Sequence, residues 1–99
     1  MIVDFEGTVY RWDARTDSAW FFTDLPSDLS EAIREMQDPS LRRGFGAVRV
    51  RVTVGGSAWT TSIFPSAAGS YTLPLKKSVR DREGLGEGDS VQVHMELSL

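Results

Sequence analysis

The 99-residue chain contains no cysteine and a single histidine, His94. Without cysteine, disulfide bonds and thiolate metal sites are excluded, and one histidine alone cannot form an ordinary structural zinc site. We therefore predict no metal site and no other cofactor. His94 falls on the outer face of the last predicted strand, so we interpret it as an exposed side chain without a special role.

Motifs for catalysis are also missing. The chain has no nucleophile-elbow spacing and no acid–base pair at a recognisable spacing. The glycines of residues 84–88 follow a predicted helix and precede a strand, whereas a phosphate loop follows a strand and opens a helix, so we predict a helix C-cap and a turn. Gly44 and Gly46 likewise predict a tight turn, with Phe45 in the core. We predict no catalytic residue and expect a protein that is not an enzyme.

Long apolar runs are absent, and no segment approaches the roughly 18–20 residues that cross a bilayer. The first residues carry Asp4 and Glu6 and lack the basic region of a secretory signal. The sequence thus predicts a cytoplasmic protein that does not associate with membranes. Its length and its 40% apolar content fit one globular domain covering residues 1–99.

The net charge of −3 is unevenly distributed along the chain. Residues 1–41 hold nine acidic and three basic residues, a net charge of −6. Residues 42–83 hold eight basic and two acidic residues, a net charge of +6, and residues 84–99 add −3. The negative total argues against a protein dominated by phosphate contacts, although nucleic acid is not excluded. One interpretation is that the two oppositely charged stretches attract each other in the fold.

Hydrophobic periodicity predicts a mainly β protein with two short helices. We expect strands at residues 2–12, 18–25, 47–54, 57–64, 71–74 and 90–98, and helices at about residues 27–37 and 76–83. Gly7 interrupts the inner face of the first strand and predicts a bulge or a close backbone approach. The first helix should face the core through Leu29, Ala32, Ile33 and Met36.

The strand alternation is clearest in residues 47–54. Four valines share the predicted core face there: Val48, Val50, Val52 and Val54. The chain also repeats one arrangement, because Leu25-Pro26 and Leu73-Pro74 each follow a β-rich segment and precede a helix. Six strands with two helices predict a small closed or nearly closed barrel whose ends the helices cap.

Two resemblances agree with this pattern. Residues 73–93, LPLKKSVRDREGLGEGDSVQV, resemble the Leu-Pro, basic helix, Gly-Asp and strand order of AbrB-type swapped-hairpin regulators. Nearly the whole chain resembles the bacterial domain-of-unknown-function family 1905. The matching segments are FEGTVYRWD, AWFFTDLP, RRGFGAVRVRVTVGG, WTTSIFP, YTLPLKKSVR and GLGEGDSVQV. This resemblance implies a six-stranded double-split β-barrel capped by two helices, and it implies no particular activity.

The aromatic residues make up 10% of the chain, and we expect most of them in the core. Trp12 and Trp20 flank the first predicted turn on adjacent strands and should pair across it. An aromatic side chain left on the surface would be a candidate binding anchor.

The basic residues give the sharpest prediction of a site. Two lie on one face of the strand at residues 47–54, two lie in the loop before that strand, and three lie on the second short helix. Together they could form one patch for an anionic ligand or an acidic protein. The predicted patch contains Arg42, Arg43, Arg49, Arg51, Lys76, Lys77 and Arg80. The alternative is that these charges are only a solvated surface.

The sequence therefore favours a non-enzymatic binding or interaction module with an unknown anionic ligand or protein partner. One alternative is an AbrB-like DNA-binding regulator, suggested by residues 73–93. Another is an accessory domain of an enzyme partner. Because both Leu-Pro units lie in one chain, the barrel could close without a second subunit, which favours a monomer over an obligate dimer.

Overall fold

The computed structural model describes residues 1–15, 18–36, 46–66 and 69–97. These residues form seven strands and two helices. In chain order they are β1 (Ile2–Thr8), β2 (Tyr10–Arg15), β3 (Ser18–Asp24), α1 (Ser27–Met36), β4 (Val48–Val54), β5 (Ser57–Pro65), β6 (Tyr71–Pro74), α2 (Lys77–Glu83) and β7 (Ser90–Leu97). The prediction of a mainly β fold with two short helices is confirmed.

The strands form one antiparallel sheet in the order β1-β7-β4-β5-β6-β3-β2. The sheet curls until the end of β1 reaches β3, where the Thr23 hydroxyl donates a 3.0 Å hydrogen bond to the Thr8 carbonyl. A Cβ atom on Gly7 would lie 2.2 Å from Thr23 Oγ1, far inside van der Waals contact. The close approach predicted at Gly7 is confirmed, and the sheet is a curled half-barrel.

The structure has seven strands where the sequence predicts six, because the first predicted strand divides at Val9. The Val9 N–H donates to the Asp89 carbonyl and the Gly88 N–H donates to the Val9 carbonyl, both at 2.8 Å. Before Val9 the chain pairs with β7, and after it the chain pairs with β3. The inward alternation continues through Val9, which is buried. After Val9 the large apolar side chains shift to the even-numbered positions Tyr10 and Trp12, so the change of neighbouring strand coincides with a shift in the hydrophobic pattern.

The core lies on the concave face of the sheet and is richest in aliphatic residues from β4 and β7. The predicted inward residues of β4 are all buried: Val48, Val50, Val52 and Val54. On β7 the buried residues are Val91, Val93, Met95 and Leu97. The strand assignments at β4 and β7 and their core faces are therefore confirmed.

Helix α1 packs on the sheet through its middle rather than along its full length. Ile33 is fully buried, and the buried Ser30 hydroxyl accepts a 3.0 Å hydrogen bond from the Tyr71 N–H. Met36, expected on the core stripe, is 53% exposed, because it lies in the last turn beyond these contacts. In the described part of the chain, neither helix is long and apolar enough to cross a membrane.

The two Leu-Pro segments lie side by side in the fold. Strands β3 and β6 pair antiparallel, with Asp24 opposite Thr72. Beyond the ends of this ladder, the Leu25 N–H donates to the Tyr71 carbonyl and the Leu75 N–H donates to the Phe21 carbonyl, both at 2.9 Å. Each of these strands leads into a helix, so the repeated sequence arrangement corresponds to two neighbouring structural units.

Candidate functional site

The junction between β6 and α2 holds three of the predicted basic residues beside one cleft. Leu75 and Val79 are buried and fix the start of the helix against the sheet. The residues on the other side of this turn, Lys76, Lys77 and Arg80, line the cleft. The two aliphatic side chains of this segment thus point into the core, and its cations lie together on the side that faces the cleft.

This α2 cleft has a volume of about 390 Å³. Besides the three cations, its walls are Trp20 and Phe21 of β3, residues 59–61 of β5, and Pro74 and Leu75 at the end of β6. Trp59 is buried, whereas Trp20 is 56% exposed. The cleft therefore combines an aromatic wall, two threonine hydroxyls and a basic rim.

Arg80 is tied to the cleft wall. Its guanidinium carbon lies 3.9 Å from the centre of the Phe21 ring, within the range of a cation–π contact. Its Nε–H also donates a 3.0 Å hydrogen bond to the Leu75 carbonyl. These two contacts hold the side chain in place and make Arg80 part of the wall.

The two lysines differ from Arg80 because they lie at the open rim. Lys77 Nζ contacts the Asp81 carboxylate at 2.6 Å across one helical turn, and both side chains are exposed. An exposed pair of this kind contributes little to stability, about 0–1 kcal/mol. Lys76 precedes the helix and is also exposed. Both ammonium groups are therefore exposed at the rim, where an anion bound to Lys77 would compete with Asp81.

The structure separates the predicted basic patch into groups. Arg49 and Arg51 lie on the exposed face of β4, opposite to the valine face, and do not line the α2 cleft. Arg51 lies opposite Glu96 of β7 in the strand register. Arg42 and Arg43 lie outside the described residues. Of the seven predicted residues, the cleft brings together those of the β6–α2 junction.

An aromatic cluster on the outer face of the β2–β3 hairpin adjoins the cleft. Trp12 and Trp20 are opposite each other in the register, as predicted, and both contact the Phe22 ring, with centroid separations of 6.5 and 6.3 Å. Tyr10 contacts the same ring at 5.9 Å. Trp12 is 54% exposed.

The expectation that most aromatic residues lie in the core is therefore wrong for this hairpin. Phe5 and Val9 are buried at odd-numbered positions, whereas Tyr10 and Trp12 continue the chain at even-numbered positions. Because successive side chains of a strand point to opposite faces, this difference in parity could have placed Trp12 outside from the sequence alone.

Tyr10 links three strands at the edge of this cluster. Its hydroxyl donates a 2.7 Å hydrogen bond to Asp24 Oδ1 and lies 2.9 Å from Thr72 Oγ1. Partial burial raises the pKa of the Tyr10 phenol above its ordinary value, the hydrogen bond with Thr72 opposes this, and the neighbouring Asp24 carboxylate raises the pKa further. Tyr10 therefore stays protonated and acts as a fixed hydrogen-bonding group.

His94, predicted to be an exposed side chain without a special role, has a partner on the neighbouring strand. Its Nδ1 lies 2.8 Å from Asp4 Oδ1, across the β1–β7 pair. Both side chains are exposed, so this is a surface contact between neighbouring strands. Within the described ranges, no group of three His, Cys, Asp or Glu side chains is arranged to hold a metal ion.

The glycines after α2 form a turn, as predicted. Gly84 adopts a left-handed conformation with φ of 66°, and its N–H bonds to the Arg80 carbonyl as a helix C-cap. The Gly86 N–H then donates to Asp89 Oδ2 at 2.7 Å. These backbone groups are used within the turn itself. Of the turn predicted at Gly44 and Gly46 with Phe45 in the core, Gly46 lies in a turn with a positive φ of 77°, whereas Gly44 and Phe45 lie outside the described residues.

A further contact at α2 was not predicted. Glu83, at the end of the helix, accepts a 2.8 Å hydrogen bond from the Ser57 hydroxyl and a longer one, 3.4 Å, from the Gly56 N–H. The Gly55-Gly56 turn of the β4–β5 hairpin permits this approach, since a Cβ on Gly55 would lie 2.0 Å from Glu83 Oε1. The end of α2 is thereby attached to the hairpin.

Fold and site together define a small antiparallel β half-barrel domain with an aromatic and basic cleft beside its second helix. The family model described as Domain of unknown function (DUF1905) matches residues 5–95. The chain belongs to this family. No curated protein matches the sequence.

Proposed function

We propose that this chain is a non-enzymatic binding module that holds an anionic group in the α2 cleft. The observation that carries the proposal is the convergence of Lys76, Lys77 and Arg80 on one concave surface. A volume of about 390 Å³ falls within the size range of small-molecule sites, about 300–1,000 Å³. The proposed ligand is a small anion or the anionic part of a larger partner.

The charge distribution supports an anionic ligand despite the negative net charge of the chain. The described residues that line the cleft include three cations and no carboxylate. Concave surfaces lined by one sign of charge concentrate the field and attract ions of the opposite sign. No described acidic residue of the N-terminal third lines the cleft.

The same lining supports binding rather than catalysis. General acid–base catalysis uses a group that can exchange a proton near neutral pH, most often histidine or a carboxylate. The described lining residues offer hydroxyl groups from Thr60 and Thr61 and cations from lysine and arginine. Such groups bind and orient an anion. Substrate turnover that a single polar substitution abolishes would contradict this proposal.

The experiment compares two double variants of equal charge change. Lys76→Ala with Lys77→Ala removes the rim of the cleft, whereas Arg49→Ala with Arg51→Ala removes two cations from the outer face of β4. Inorganic phosphate is titrated at low salt, and amide chemical shifts are followed by NMR. We expect saturable shifts around the cleft that the lysine variant loses and the arginine variant keeps. Absence of saturable shifts, or loss only in the arginine variant, would contradict the proposal.

We further propose that the half-barrel belongs to the AbrB-like double-split class, closed within a single chain. The antiparallel pairing of β3 with β6, each followed by a helix, supports this proposal. The order of strand, helix, glycine turn and strand in residues 73–93 supports it as well. We accordingly propose a monomer.

This likeness also favours one alternative function, a DNA-binding regulator. Such a protein would dimerise and would bind duplex DNA with an affinity that falls steeply as salt rises. Light scattering coupled to size-exclusion chromatography, together with a low-salt gel shift, separates the two functions. A dimer that shifts duplex DNA would favour the regulator over the monomeric binding module.

A further inference from the structure

Trp20 lies at the edge of the α2 cleft in a position suited to stacking. Its ring is stacked on Phe22, with an interplanar angle of 18° and a centroid separation of 6.3 Å. More than half of the side-chain surface nevertheless remains exposed. The ring is therefore supported by a neighbour and still accessible to a ligand.

The cations and the aromatic wall belong to one continuous surface. Phe22, which supports Trp20, lies opposite Pro74 in the β3–β6 register, and Pro74 lies two residues before Lys76. Trp20, Pro74 and both lysines all line the cleft. A ligand seated there would contact an aromatic plane and a positive rim at the same time.

The kind of anion follows from which cations are accessible. Arginine recognises carboxylates and phosphates alike through its planar fork, but the Arg80 fork is partly engaged by the Leu75 carbonyl and the Phe21 ring. The accessible cations, Lys76 and Lys77, are compact point charges of the kind that bind phosphate. Two neighbouring point charges suit a phosphate group, which carries about −1.5 to −2 charges at pH 7.

We propose that the ligand of the α2 cleft is nucleotide-like: a planar aromatic ring that stacks on Trp20, joined to a phosphate that Lys76 and Lys77 bind. This inference rests on the proposed function and specifies its ligand class. Thr60 and Thr61 also line the cleft, and a threonine hydroxyl on this wall can hydrogen-bond to the sugar or to the ring edge. Base–aromatic stacking does not require a particular base, so the ring is specified here by its shape.

Two sources could provide this chemistry, a free nucleotide and a single-stranded nucleic acid. The contribution of Trp12 to binding distinguishes the two sources. Trp12 contacts Phe22 on the same outer face as Trp20 but does not line the cleft. A free nucleotide would need Trp20 alone. A single strand would continue along the hairpin and would use both tryptophans.

The experiment measures the affinities of three probes by calorimetry: adenosine monophosphate, ribose 5-phosphate and adenosine. We expect the monophosphate to bind about tenfold more tightly than ribose 5-phosphate, since stacking on one aromatic side chain contributes a factor of this order. Trp20→Ala should abolish that difference, and Trp12→Ala, the matched control with similar exposure, should preserve it. The lysine double variant should weaken both phosphate compounds.

An oligothymidine of about eight nucleotides forms the second arm of the experiment. Binding that is tighter than that of the monophosphate and weakened by Trp12→Ala assigns the ligand to single-stranded nucleic acid. Oligomer binding no tighter than that of the monophosphate and unchanged in Trp12→Ala assigns it to a free nucleotide.

Two results would overturn the inference, and they are distinguishable. Equal affinities of the monophosphate and ribose 5-phosphate, unchanged by Trp20→Ala, would show that the ligand's aromatic ring contributes nothing to binding. The proposed anion-binding function would remain. Failure of every phosphate compound to bind would reject both proposals. Because Trp20 is exposed, its alanine variant should remain folded, which thermal unfolding followed by circular dichroism checks.

Discussion

The β4–β7 pair and the β2–β3 hairpin use the same strand geometry with opposite results. In β4 and β7 the apolar side chains point into the core, and the outward face carries charged residues such as Arg49, Arg51 and Glu96. In the hairpin, apolar rings also occupy the outer face, where Trp12 and Trp20 are exposed. The first region has the composition expected of a structural strand pair. The second presents more apolar surface than its own folding uses, and exposed apolar clusters mark contact sites.

The comparison predicts that one kind of substitution has very different costs in the two regions. Val50 is 2% exposed in the core, so Val50→Asp buries an unpaired charge and should unfold the domain, at a cost of about 4 kcal/mol or more. Trp12→Asp places the same charge on an exposed surface and should cost about 1 kcal/mol. Thermal unfolding followed by circular dichroism measures both.

A Val50→Asp variant that melts like the parent would show that the register of β4 is wrong. A Trp12→Asp variant that fails to fold would show that the outer aromatic cluster is part of the stabilising core. Either result would remove the contrast between the two regions.

A second prediction concerns the seam between β3 of the hairpin and β1, the strand that pairs with β7, at Thr23 and Gly7. Gly7→Ala should destabilise the domain by about 1–3 kcal/mol, because its Cβ would lie 2.2 Å from Thr23 Oγ1. Thr23→Ala removes that oxygen and leaves the next contacts at 3.4 and 3.5 Å, which are ordinary. Denaturant unfolding of both single variants and the double variant should therefore give a cost for Gly7→Ala that is smaller in the Thr23→Ala background.

Gly86→Ala is the matched control for this cycle. Gly86 does not have a positive φ, and a Cβ atom at this position would lie 3.7 Å from its nearest neighbour, Asp89 Oδ2. The cost of this substitution should stay below that of Gly7→Ala. Equal costs would mean that loss of glycine flexibility, and not the seam, explains the effect.

The smallest predicted effect is the pH dependence contributed by Tyr10. Because the folded state raises the pKa of Tyr10, this residue contributes stability that is fully present below its ordinary pKa, near 10. That contribution is lost as pH rises through the higher folded value. Relative to Tyr10→Phe, the parent should thus lose stability above about pH 10. Denaturant unfolding of both proteins between about pH 8 and about pH 11 measures the difference.

In this comparison, all other ionisable residues are common to both proteins. A constant difference in the free energy of unfolding across that pH range would show that partial burial and the neighbouring Asp24 carboxylate do not favour the protonated form of Tyr10. The Tyr10 hydroxyl would then be better solvated than the geometry indicates.

What the sequence could predict depends on whether the signal is local. Val48 to Val54 alternate with polar residues, so the core face of β4 follows from the period of a strand. Gly84 follows a helical pattern and predicts its C-cap. The division at Val9 is marked in the sequence only by the shift of apolar residues from odd-numbered to even-numbered positions, because a strand that exchanges one neighbour for another needs no turn residue between the two parts.

The candidate site was only partly predictable for the same reason. Spacing places Lys76 and Arg80 on one side of a short helix, and the structure brings both to the cleft. Spacing also places Arg49 and Arg51 together, but it does not tell which surface of the sheet the helix adjoins. The contribution of Trp20 to the cleft depends on the pairing of β3 with β6, which joins segments about fifty residues apart in the sequence.

The contacts at the two ends of α2 have a consequence for binding energetics. Glu83 fastens the end of the helix to the β4–β5 hairpin, and Arg80 with Leu75 fastens its beginning to β3. The wall that carries the lysines is thus preorganised before any ligand arrives. A ligand would lose little affinity to ordering of the backbone, so even a shallow cleft with exposed charges can discriminate by shape.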